Sequence, residues 1–232
     1  LHHTIGFMPE THMLKPFADR VAAMRTLVEV VLEFTVGHAA RIQELRREAR
    51  ATTAQQARWP LAWRNDRSRP ASLRFKGYRA VRTPSRLGTY ERLAYDRGQP
   101  WEKDIVHFDR CVEVASVAAP KAYLVPRAWR EVIERLAWNG VELQRLEADR
   151  LFDAARVYRI RSVVSRANAY EGHMFHDEVV LAAHTEPFQA HAGDVWVPLD
   201  QANARYVVET LEPEAHDSFF RWGFFNSVLE KK

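Results

Sequence analysis

Cysteine is almost absent from this chain. Its 232 residues include one, Cys111, so no disulfide can close within it. Long apolar runs are missing too. No stretch approaches the about 20 residues that span a bilayer, so no membrane span is expected. The first residues show no basic segment followed by an apolar one, so no secretory leader is read there. The 9 glycines are scattered, which excludes a glycine-rich phosphate loop. Charge of one sign is not in excess: Lys+Arg 34 stand interspersed with Asp+Glu 30. Despite a pI near 9.3, no basic stripe interleaves with aromatics, so nucleic acid is not expected as a partner. His-x-x-Glu, His-Glu-x-x-His, Cys-x-x-Cys and Gly-x-Ser-x-Gly are all absent.

What is present suits an ordinary globular chain. Hydrophobic residues make up 47%, enough for a core in one large domain or two small ones. Residue 1 is Leu, and Thr4-Ile5-Gly6-Phe7-Met8 reads like a strand entering a core. Domains rarely open so abruptly, so a few leading residues or a whole upstream domain are expected before it. From Phe17 the apolar positions Val21, Met24, Leu27, Val28, Val31 and Phe34 follow a helical period, with Gly37 as a break. Residues 51–70 turn polar, with Trp59-Pro60 and Ser68-Arg69-Pro70, and read as a linker.

Beyond it, strands dominate. Leu73, Phe75, Tyr78 and Val81 alternate with basic residues, and Gly77 marks a bulge. Further strands are expected at 103–109, 111–117 and 122–125. A helix over 126–138 should stop at Asn139-Gly140, and an alternating stretch over 141–146 completes a small αβ crossover. Strands return at 157–160, 179–181 and 195–197, with a turn at His191-Ala192-Gly193-Asp194, before an aromatic, partly helical tail. The expected class is mixed α+β: residues 1–50, the linker 51–70, and a β-rich domain with short helices over 71–232.

Candidate chemistry is sparse. His173 and His176, beside Asp177 and Glu178, come nearest to a metal seed, but Glu171-Gly172 argues for a solvated loop with ordinary histidines. Cys111 reads as a buried, inert strand thiol. Glu209 and Glu212 read as a solvated helix face. Glu10 stands apart: it follows an apolar stretch and precedes a helix, where α/β enzymes display catalytic groups. The other reading places Glu10 at the favourable end of that helix's dipole.

The run Ile5-Gly6-Phe7-Met8-Pro9-Glu10-Thr11-His12-Met13-Leu14-Lys15-Pro16-Phe17 resembles the end of the catalytic domain in bacterial zinc metallocarboxypeptidases of the carboxypeptidase A superfamily. Phe75-x-Gly77-Tyr78, Pro120-Lys121-Ala122-Tyr123-Leu124-Val125-Pro126, Tyr170-Glu171-Gly172-His173 and Val208-Glu209-Thr210-Leu211-Glu212-Pro213 look like the C-terminal extension of one branch of them. The resemblance implies a hydrolase cleaving peptides, with zinc as cofactor in the parent protein and Glu10 as general base on the zinc-bound water. Residues 1–50 would then be the last strand and long helix of the catalytic domain, and 71–232 an accessory domain. The family's zinc ligands, anchoring arginines and mobile tyrosine lie upstream of the matching run, so this chain should hold no catalytic zinc and be inactive alone. Its partners would be a peptide substrate in the parent, the upstream catalytic segment, and a second copy covering the apolar stripe of the first helix. Relatives are often periplasmic or secreted. The competing readings are a non-catalytic peptide- or envelope-binding module and a degenerate homologue.

Overall fold

The computed structural model describes residues 2–230 and shows a mixed α+β protein. Its elements run α1 (Phe17–Gly37), α2 (Ala39–Ala54), β1 (Arg58–Asn65), β2 (Ala71–Pro84), β3 (Glu91–His107), β4 (Cys111–Ala118), β5 (Ala122–Val125), α3 (Arg130–Trp138), β6 (Gln144–Arg145), β7 (Arg150–Ser165), β8 (His176–Ala190), β9 (Val195–Pro198) and α4 (Ala204–Leu211). A short 3-10 turn, Asn226–Val228, lies in the aromatic tail. Two compact units divide them. One comprises Ile5–Gln43 and Arg64–Val112; the other takes Glu44–Trp63, Glu113–Lys232 and the first residues to Thr4.

The unit holding α1 is thinly packed. Helix α1 buries none of its residues, and Phe17, Val21, Val28, Leu32 and Phe34 are exposed. Thr4 to Met8 form no strand, contrary to the sequence expectation, and Ile5, Phe7 and Met8 are exposed. A strand needs a neighbour for its N–H and C=O groups, and none among the described residues pairs with this stretch. Strands β2 and β3 form a long antiparallel ribbon from Ala71↔His107 to Pro84↔Glu91. The bulge comes between Tyr78 and Arg79, one step after the expected Gly77. Gly77 has a different reason to lack a side chain: a Cβ there would meet Trp101 Cζ2 at 2.5 Å. His12 stacks edge-on against Tyr95 at 5.3 Å, and Arg97 donates to Asp19 at 2.6 Å. Cys111 lies in a strand as expected, yet it is exposed, its thiol donating to Asn65 at 3.7 Å. A thiol is buried by what packs over its strand, and the local pattern of β4 does not specify that.

The other unit contains the core. Residues 51–70, expected as a linker, hold the end of α2 and strand β1, with Trp59 1% and Leu61 2% exposed. Those two side chains pack with Val117, Val125, Val132, Ile133, Leu136, Val195, Val197, Val207 and Val208. A three-stranded sheet in the order β5-β9-β6 backs this cluster. Both outer strands run antiparallel to β9, so β5, α3 and β6 form the expected crossover with β9 inserted between its strands. Helix α3 buries Val132, Ile133 and Leu136 on one stripe. It ends in a Schellman motif. Gly140, at φ +72, donates to Ala137 and Val141 donates to Leu136, which satisfies carbonyls the helix leaves open. Strands β7 and β8 make a second long antiparallel pair, broken by register shifts near Phe152, Ile160 and Val164.

Candidate functional site

Helix α4 stops where its sequence requires. Pro213 disfavours helical geometry in the residue before it, and Glu212 takes φ −75 and ψ 114. The Glu212 N–H still donates to the Val208 carbonyl at 3.0 Å. Glu212 is only 4% exposed, which corrects the reading of Glu209 and Glu212 as a solvated helix face. Helix α4 keeps little solvent face because Ala204, Val207, Val208, Glu209 and Thr210 are all buried. Tyr123 on β5 donates its hydroxyl to Glu212 Oε1 at 2.6 Å, and Tyr158 on β7 donates to Oε2 at 2.8 Å. Both hydroxyls are held protonated well above the ordinary tyrosine value of 10.0. Burial is the larger cause, and the adjacent Glu212 carboxylate adds to it.

This trio borders a cavity of about 650 Å³. Its walls are aliphatic and aromatic: Phe152 stacks on Trp196 at 5.5 Å, and Trp129 meets Phe225 edge-on at 4.8 Å. Two exposed cations, Lys121 and Arg156, also line it. The Arg156 guanidinium sits over the Tyr158 ring at 5.3 Å. One turn before Glu212, Glu209 is paired with Arg205. Burial pushes the Glu209 carboxyl above its usual range while Arg205 opposes the shift. The Arg205 guanidinium also covers the Trp63 ring at 5.0 Å.

A second polar cluster closes the start of β8. Ser165 Oγ lies 2.8 Å from His176 Nδ1, and Asn226 Oδ1 lies 2.8 Å from Nε2. If the Asn226 oxygen accepts, Nε2 carries the proton and Ser165 donates to Nδ1. His176 is 2% exposed rather than solvated, because β8 starts there and its backbone N–H donates to Arg221 at 2.8 Å. His173 Nδ1 lies 3.0 Å from the Trp222 carbonyl oxygen. Both histidines therefore tie β8 and its loop to the aromatic tail. Among the described residues no three His, Cys, Asp or Glu side chains come together to hold a metal.

Glu10 is exposed and sits in a stretch without helix or strand, well before α1 begins at Phe17. The Glu10 site and the Glu212 cavity belong to different compact units. No helix among the described residues is long and apolar enough to cross a membrane. Two curated fungal proteins named Carboxypeptidase 2, from Trichophyton tonsurans and Trichophyton equinum, are each 29% identical to this chain over 114 residues. Part of this chain is similar to carboxypeptidases. The matched stretch covers 47% of the chain and 20% of each fungal protein, so the chain spans about a fifth of those relatives. No protein-family model and no solved structure matches it.

Proposed function

We infer that this chain is part of a peptidase of the zinc metallocarboxypeptidase type. In this reading Glu10 supplies the general base and residues 71–232 an accessory domain. The likeness to Carboxypeptidase 2 carries the inference. The run Pro9-Glu10-Thr11-His12 supports it through its resemblance to the family's general-base segment, and the Glu10 carboxylate is open to solvent. A carboxylate can accept a proton from water attacking a peptide carbonyl, a contribution of about 10²–10⁴ in rate. The described residues do not by themselves fit a zinc centre. Ligands for such an ion would come from polypeptide other than these residues, and so would the groups that anchor a peptide's C-terminus. Periplasmic or secreted placement belongs to the same reading.

The test compares Glu10 with Glu10→Gln in the complete gene product, using hydrolysis of N-blocked dipeptides. The reading expects kcat to fall by about 10²-fold or more with KM little changed. An unaltered kcat in Glu10→Gln refutes it. Elemental analysis of the 232-residue chain should find far less than one zinc per molecule; one tightly held equivalent would overturn the assignment of the ligands elsewhere.

A further inference from the structure

We propose that the cavity beside Glu212 binds a small amphiphilic amine, an aromatic or apolar body carrying one protonated nitrogen. The site lies in a different compact unit from Glu10 and does not rest on the peptidase reading. At about 650 Å³ the cavity is within the usual size range of small-molecule sites. Its aromatic walls are packed ring against ring and are therefore preformed: Phe152 on Trp196, and Trp129 on Phe225. Such surfaces take up apolar bodies, and aromatic faces attract cations.

The sign of the ligand's charge follows from Glu212. This residue is 4% exposed, and two tyrosine hydroxyls donate to its carboxylate. No Lys, Arg or His among the described residues forms an ion pair with it. A buried carboxylate without a counter-cation carries a desolvation cost that neutral donors offset only in part. Each of its oxygens has accepting capacity beyond one tyrosine hydroxyl. A ligand ammonium placed there would supply the missing cation. Lys121 and Arg156 line the same cavity and favour an anion instead. Both are exposed, so solvent and salt screen them far more than they screen Glu212.

Tryptophan fluorescence and calorimetry on the whole chain test this with three probes of one shape: 3-phenylpropylamine, 3-phenylpropan-1-ol and 3-phenylpropionate. The amine should bind saturably and about tenfold tighter than either other probe. Glu212→Gln should erase most of that preference and leave the alcohol's affinity unchanged. Tighter binding of the propionate, equal binding of all three, or no saturable binding would overturn the proposal. Should Glu212→Gln fail to fold, Arg156→Ala replaces it, since Arg156 is exposed. That variant should keep or raise the amine's roughly tenfold preference over the propionate, and loss of that preference would count against the proposal.

Discussion

Replacing Tyr123 by phenylalanine removes a single oxygen and keeps the ring that packs against the core. The lost hydrogen bond is the 2.6 Å contact from the hydroxyl to Glu212 Oε1. Hydrogen bonds to charged groups contribute about 1.5–3 kcal/mol, and burial places this one toward the upper end. Glu212 would keep only the Tyr158 donor, at 2.8 Å. Tyr123→Phe should therefore destabilise by about 2–3 kcal/mol, and the less buried Tyr158→Phe by about 1–2 kcal/mol. The double variant should lose more than the two singles together, because the second change strips the carboxylate of its last donor. Urea unfolding followed by tryptophan fluorescence reads this as a lower midpoint at constant slope. In a Glu212→Gln background the cost of Tyr123→Phe should fall to about 1 kcal/mol, the worth of a neutral bond. A loss below about 0.5 kcal/mol in the native background, or an undiminished loss in the Glu212→Gln background, would refute the buried charged hydrogen bond.

Leu136 is fully buried under the β5-β9-β6 sheet, so Leu136→Ala should cost about 2–5 kcal/mol. Leu87→Ala, on the exposed turn between β2 and β3, should stay within about 0.5 kcal/mol, and thermal melts compare the two. Tyr123 and Tyr158 ionise only well above 10.0 in the folded state, so their stabilisation is complete below that pH and is lost as pH rises further. Tyrosinate absorbance should show their ionisation coinciding with alkaline unfolding; titration of every tyrosine before unfolding would contradict this. The exposed apolar residues of α1 should drive self-association of the isolated chain. Light scattering should show a dimer that Val21→Asp with Val28→Asp returns to monomer, and a monomeric native chain would refute it.

Where local chemistry settles the backbone, the sequence was readable. Strand β5 occupies the expected 122–125, and Asn139-Gly140 stops α3 because a glycine tolerates the positive φ that a Schellman motif needs. Strand β2 was legible in the alternation after Leu73, with its bulge missed by one step, but of its partner β3 only the end, expected at 103–109, was read. Of the cavity, the pieces were visible but not their meeting. Tyr123 and Glu212 were both in quoted motifs, yet 89 positions separate them. Ser165, His176 and Asn226 had no spacing that could announce their contact.

Composition, cysteine count and turn chemistry are properties of short stretches, and they determined the mixed class, the lack of a disulfide within the chain and a few element ends, such as β5 and the stop of α3. Burial is a property of what comes to lie on top. Trp59 and Leu61 sat in a polar, proline-bearing segment and became core because α3, α4 and the β9 sheet close over them. Glu212 stood in a stretch that could equally face solvent. Only the approach of β5 and β7 turned it into a buried carboxylate with two tyrosine donors, since desolvation arises from neighbours distant in the chain.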